Sequence, residues 1–232
     1  MRKILYPYVF IRDYLVDRSL DTLSESDRFT LIYKKSYWKG LGEGSLSGAG
    51  SNLDSTDNIR RSLPVVLDKC SINSMLDVPC GDWFWMRHVD LSNVQYTGGD
   101  IVDEIVKHNN TKYSDLNVNF YKIDLINDRL KKVDLMFVRD CLVHLTDEQI
   151  NDALMNIIKS GSKYFMATTF PETAINNKST LKDRWRPINL ELPPFSLPKP
   201  IYLIDDSWCG NSIDANKKMG VWKLSDLTTV GD

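Results

Sequence analysis

The chain is short of several things that particular functions require. Only four of its 232 residues are cysteine, at Cys70, Cys80, Cys141 and Cys209, and no two of them form a CxxC pair. That spacing argues against a zinc site or a disulfide framework and fits a reducing cytoplasm. Charge of one sign is also lacking, because basic and acidic residues nearly balance to a formal net charge of -2. A nucleic-acid-binding enzyme usually carries a basic excess, so no nucleic-acid partner is expected. No hydrophobic run approaches the roughly 20 residues of a transmembrane helix. The apolar Ile4–Ile11 segment is interrupted by Pro7 and meets Arg12-Asp13 with no small-residue cleavage site, so it does not read as a signal peptide. Histidine is scarce too, with His88, His108 and His144 the three in the chain.

What is present is a pattern of alternating strands and helices. Apolar and charged residues from about Ile11 to Lys35 recur at helical spacing, which predicts one or two amphipathic helices in an N-terminal extension over residues 1–36. A single domain then spans residues 37–232, opening on Trp38 and a glycine- and serine-rich loop through Gly48-Ala49-Gly50-Ser51. Ser55 or Thr56 caps a helix toward Cys70 in which Pro64 is an irregularity. Strands are predicted at Ser74–Val78, Gln95–Gly99, Val118–Ile123, Val133–Val138 and Lys163–Thr168. After the fourth, Thr146 and Gln149 form a capping box, and Ile150, Ala153, Leu154, Ile157 and Ile158 make the buried stripe of a helix. Ile201–Ile204 and Gly220–Leu224 follow without a long helix between them, as an antiparallel hairpin would. The expected fold is α/β and Rossmann-like: a mostly parallel seven-stranded sheet, helices on both faces and a C-terminal antiparallel hairpin.

In such sheets a ligand sits at the carboxyl ends of the strands. The first strand runs Ser74-Met75-Leu76-Asp77 into the turn Val78-Pro79-Cys80-Gly81-Asp82, the second ends in Asp100, and the third closes at Asp124. A carboxylate at Asp100 suits the hydroxyls of an adenosine ribose, a feature that nicotinamide-binding proteins share. The turn discriminates. A dinucleotide needs G-x-G-x-x-G for its pyrophosphate, whereas this turn has one glycine and an added negative charge. It suits S-adenosylmethionine (SAM), which has no phosphate and presents a cationic amino group and a sulfonium.

From about Ser36 to Leu227 the sequence resembles the class I SAM-dependent methyltransferases. Asp77–Gly81 is similar to their first motif, Asp100 to their second-strand acid and Asp124 to their adenine-binding acid. More narrowly, Asp77–Asp82, Arg139-Asp140-Cys141-Leu142-Val143-His144-Leu145 and Arg186–Phe195 resemble a subfamily tied to surface-glycan biosynthesis. Pro79-Cys80 depart from the common first motif, where glycines or small residues often sit. The resemblance implies SAM as cofactor, with S-adenosylhomocysteine as product, held by Trp38, Asp77, Pro79, Cys80, Gly81, Asp100, Ile101, Asp124, Leu125 and Arg139. It also implies a sugar hydroxyl of a glycan as acceptor, a deoxyhexose such as rhamnose being one case.

Methyl transfer from a sulfonium requires alignment, exclusion of water and a group that takes the acceptor's proton. His144 follows the fourth strand, and its surroundings resemble the Leu-His-Asp-Trp-x-Asp-Glu segment of plant-type O-methyltransferases, in which the histidine is the base. Leu145-Thr146 stand here in place of the Asp-Trp pair. A histidine bonded to backbone at a helix entry is the competing reading. Asp140 is a second catalytic candidate, suited to orienting His144 or binding an acceptor hydroxyl. A metal is not expected, since no compact acidic or histidine cluster stands beside it. Arg139 pairs with a carboxylate or an acceptor phosphate, or braces its loop. The proline-stiffened Trp185-Arg186-Pro187-Ile188-Asn189-Leu190-Glu191 segment is the expected acceptor wall, with Trp185, Arg186, Asn189, Glu191 and Asp82 as substrate contacts; as a plain cover it would only fill the core. Three other functions compete: methylation of a small molecule or phosphoramidate in capsule synthesis, a non-catalytic SAM-fold module docking a glycosyltransferase through its N-terminal helices, and a nicotinamide oxidoreductase.

Overall fold

The computed structural model describes residues 18–38, 44–177, 185–208 and 215–227. Residues 11–17 of the expected N-terminal helices, residues 39–43 of the glycine-rich loop and Cys209 lie outside the described residues. Seven strands form one sheet in the order β3-β2-β1-β4-β5-β7-β6. They are β1 Ser74–Asp77, β2 Gln95–Asp100, β3 Asn119–Lys122, β4 Leu135–Val138, β5 Tyr164–Thr169, β6 Tyr202–Asp205 and β7 Lys218–Lys223. The pairs among β1 to β5 are parallel, while β7 runs antiparallel to both β5 and β6. The expected edge hairpin therefore exists, and its second strand inserts between β5 and the first.

Among the described residues, four α-helices accompany the sheet: α1 Glu25–Lys34, α2 Asp57–Lys69, α3 Asp103–Lys112 and α4 Asp147–Lys159. Helix α4 opens on the capping box of Thr146 and Gln149 and buries Ile150, Ala153, Leu154 and Ile157, with Ile158 at the margin of the same core. Helix α2 begins after Thr56, but neither candidate hydroxyl caps it. Thr56 Oγ1 donates back to the Asn52 carbonyl at 2.8 Å, and Ser55 Oγ to that of Ala49 at 2.6 Å. Both bonds secure the loop instead. Pro64 sits inside α2, whose face of Ile59, Leu63, Val66 and Leu67 is buried.

The central strands are covered on both faces, and β4 is buried at every position. One core joins α4, Trp222 and the 188–197 segment; the other joins α2 to Trp83, Tyr96, Tyr113 and Phe120. Burial of continuous apolar strands on two faces fixes a parallel sheet of this kind. The chain reverses its direction of growth between β1 and β4, which opens a crevice beyond their carboxyl ends. Among the described residues, no helix is long and apolar enough to cross a membrane.

Candidate active site

The turn after β1 is built by geometry that only its own residues allow. Gly81 has φ +53°, where a side chain is strained, and a Cβ there would press into the Ser47 hydroxyl. Cys80 N donates to the Gly99 carbonyl at 2.7 Å, tying the turn to β2. Asp100 completes the link, its Oδ2 accepting from Gly81 N at 3.1 Å and its Oδ1 from Val102 N at 2.9 Å. Asp77 is buried beside it and accepts from the Tyr96 hydroxyl at 2.6 Å. Burial pushes Asp100 up to about 6 despite its backbone hydrogen bonds. Burial also pushes Asp77 up to about 8, opposed by the Tyr96 bond and reinforced by the Asp100 charge. Two buried acids at adjacent strand ends thus lack part of the positive charge that would ionise them fully.

The Ser45–Ser47 loop closes over this turn. Asp82 Oδ1 accepts from Ser45 Oγ at 2.7 Å and Ser47 Oγ at 3.2 Å, and Asp82 Oδ2 accepts from Leu46 N at 2.7 Å. Asp82, expected at the acceptor, is therefore buried as a loop clamp. Helix α1 lies across the same crevice and is fastened on both sides. Toward β2 and α3, Ser26 Oγ donates to the Ile101 carbonyl at 3.5 Å and Lys34 pairs with Glu104 at 3.2 Å. Toward β4 and α4, the buried Arg28 donates to the His144 carbonyl at 3.0 Å and pairs with Glu25, which accepts from Gln149 Nε2 at 2.9 Å. Tyr33 reaches Ser47 Oγ at 2.9 Å, and burial followed by the Asp100 charge holds its phenol well above its ordinary value.

His144 ends a 3-10 turn, Leu142–His144, directly after β4. Its ring lies against Trp38, with centroids 5.3 Å apart, and edge-on to Phe29 at 6.3 Å. Trp38 and His144 thus share one aromatic wall under α1. Cys141, in the same turn, has its thiol pushed up to about 12 by burial and by the Asp100 charge.

Other expected contacts sit differently. Asp124 caps its own turn, its Oδ1 accepting from Ile126 N at 2.9 Å and Asn127 N at 3.2 Å. Leu125 is a core residue and Pro79 stands half-buried at the turn. Arg139 braces the floor through a bidentate pair with Asp206 at 2.8 and 3.1 Å, a bond to the Gly50 carbonyl at 3.0 Å and a stack over Trp85. In the expected acceptor wall the side chains of Arg186 and Asn189 are buried, while Glu191 is half-buried. Arg186 is buried against Asp147 and the Leu145 carbonyl, and Asn189 Nδ2 donates to the carbonyls of Pro171 and Thr173, both at 3.2 Å. Trp185 stands edge-on to Phe170, while Glu191 N bonds Asn189 Oδ1 at 3.0 Å. Ile188, Leu190 and Phe195 fill the core. Arg186 and Asn189 thus serve as structural braces, and the segment supports the His144 turn from behind, Arg186 N donating to the Val143 carbonyl at 3.0 Å.

Sequence reasoning missed Arg28, Tyr96, Asp206 and Lys217. The last two had a visible signal: Asp205-Asp206 end one strand of the hairpin and Lys217-Lys218 begin the other. Opposite charges flanking an antiparallel turn meet across it, and Asp205 is the register partner of Lys218.

No family model matches the chain, and neither does any curated protein. Solved structures do match. The methyltransferase domain of bacterial CtHen1-C superposes with a TM-score of 0.56 at 14% identity, over 73% of this chain and 98% of that one. The N-methyltransferase NodS from Bradyrhizobium japonicum WM9 gives 0.53 at 11% identity, over 75% and 98%. TehB from Haemophilus influenzae gives 0.52 at 13%, over 70% and 61%. The chain has the Rossmann-like methyltransferase fold. The seven-stranded order and the reversed last strand place Asp77 and Asp100 on one side of the crevice and His144 and Asp140 on the other.

Proposed function

We propose that the chain is a SAM-dependent O-methyltransferase that methylates a sugar hydroxyl of a surface glycan. The observation that carries the cofactor reading is the pair of buried, incompletely ionised acids Asp77 and Asp100 at the first turn. A cation between them recovers the desolvation cost of both, whereas the negative charge of a diphosphate would raise the cost of ionising either acid still further. SAM fits that donor set, and when bound it supplies an electrophilic methyl group on a sulfonium. Asp100, oriented by Gly81 N and Val102 N, would accept from the ribose hydroxyls. Asp77, its carboxylate fixed by Tyr96, would hold the amino group of the methionine end.

On the other side of the crevice His144 accepts the proton of the acceptor hydroxyl at a ring nitrogen. Trp38 and Phe29 hold the imidazole plane, and α1 excludes water from above. The sugar acceptor rests on the resemblance of three sequence segments to the glycan-modifying subfamily. The shared fold does not separate oxygen from nitrogen acceptors, since NodS is named an N-methyltransferase. The test is an acceptor screen with methyl-labelled SAM over nucleotide sugars and short glycans. Label in a sugar methyl ether supports the reading; label confined to amines would replace it.

A further inference from the structure

Beyond β4, β5 and the hairpin lies a four-membered charge cluster that the cofactor reading does not use. Arg139 pairs with Asp206, Lys217 Nζ stands 3.0 Å from Asp140 Oδ2 and 3.4 Å from Asp206 Oδ2, and Arg139 Nη1 stands 3.1 Å from Asp140 Oδ2. Side chains of Arg139, Lys217 and Asp206 are 4%, 3% and 0% exposed, but that of Asp140 is 29% exposed. Three members are sealed and one reaches the opening. Asp140 also holds a left-handed backbone, φ +51°, with its N–H given to Thr168 Oγ1 at 2.8 Å. Such a conformation costs energy in a residue other than glycine and is common at binding sites. Gly50 faces the carboxylate, and a Cβ there would come within 3.5 Å of Asp140 Oδ2.

We propose that Asp140, backed by Lys217 and Arg139, is an acceptor subsite for an uncharged vicinal diol, binding the hydroxyl next to the one that is methylated. The inference deepens the methyltransferase reading and rests on it. Among the described residues, Asp140 Oδ2 is taken by both cations, while Oδ1 receives a single long bond from Thr168 Oγ1, at 3.4 Å, and keeps acceptor capacity. Two cations against two carboxylates leave no net charge for an ammonium group, so the subsite favours a neutral donor over a charged one. Burial opposes ionisation of Asp140, but Arg139 and Lys217 overcome it and hold the group down at about 2. A carboxylate that weakly basic accepts hydrogen bonds and does not take a proton, which leaves His144 as the base. Lys217 touches no acceptor in this arrangement; it is a positioning residue acting through Asp140.

The test uses the full chain and three methyl glycosides of one 6-deoxyhexose: the parent diol, an analogue deoxygenated at the neighbouring carbon, and one with an amine there. In the wild type, kcat/KM should favour the diol by about 10- to 100-fold over both analogues, as expected for a hydrogen bond to a charged group. Asp140→Asn suits the left-handed backbone and should fold; it should lose that preference while S-adenosylhomocysteine affinity is unchanged. Lys217→Met leaves Asp140 less neutralised and should shift selectivity toward the amine. Preference for the amine in the wild type, or an equal loss on all three glycosides in Asp140→Asn, would overturn the subsite. Methylation of none of them with S-adenosylhomocysteine still bound would overturn it and leave the cofactor reading intact. Failure to bind S-adenosylhomocysteine would remove both.

Discussion

The Tyr96 hydroxyl donates to Asp77 Oδ2 at 2.6 Å, and both groups are buried between β1 and β2. The bond favours the ionised carboxylate, yet burial outweighs it and leaves Asp77 at about 8. Tyr96→Phe removes the donor without opening a large cavity. It should weaken S-adenosylhomocysteine binding by about three- to tenfold, a neutral-to-charged hydrogen bond in a partly compensated site. An unchanged dissociation constant would show that Asp77 needs no orientation by Tyr96.

The same two acids set a pH dependence of stability. Asp77 at about 8 and Asp100 at about 6 both lie above the ordinary value of 3.8, so the folded chain keeps protons that the unfolded chain releases. Their contribution is whole below about pH 4 and is lost as pH rises through about 6 and then 8. The melting temperature of the free protein should therefore decline from pH 5 to pH 8, and Asp77→Asn should flatten the upper part of that decline. A bound cation reverses the balance, so titration of SAM near pH 7 should release protons. Calorimetry in buffers of different ionisation enthalpy reads this directly, and zero proton release would contradict the acid pair.

His144→Ala should leave cofactor affinity nearly intact and lower the transfer rate by roughly 10²- to 10⁴-fold, the usual cost of a lost general base. Full kcat in this variant would return His144 to a packing role against Trp38 and Phe29.

Arg186→Ala should act on stability. The guanidinium is buried against Asp147 and the Leu145 carbonyl, so its loss leaves those acceptors without their donor. A cost of about 1–3 kcal/mol follows, seen as a fall of several degrees in Tm, with acceptor KM unchanged in the folded fraction. A raised KM at unchanged Tm would put Arg186 back at the acceptor.

The strands were legible from short runs of apolar and β-forming residues between turn residues, most plainly the fully buried β4, and the α4 capping box is a purely local signal. The positions of Asp77, Gly81 and Asp100 at the ends and turn of the first two strands were legible for a related reason, since a strand end is marked by the acid or glycine that closes its apolar run. What escaped reading depends on distant partners. Arg28 reaches His144 across the crevice from α1, and nothing in the sequence of either turn announces the other. Asp82 looked like an acceptor contact until three loop groups took its carboxylate. The burial of Arg186 and Asn189 was not legible, because alternate residues of an irregular segment have no fixed period from which to read facing.

Whether this crevice holds SAM by its two buried acids is read by calorimetric titration with S-adenosylhomocysteine. One site per chain is expected in the wild type, with no heat from NAD and affinity reduced more than tenfold in folded Asp100→Ala, in line with about 1.5–3 kcal/mol for a charged hydrogen-bonding group. No binding of S-adenosylhomocysteine by the folded wild type, or equal binding by Asp100→Ala, would contradict it.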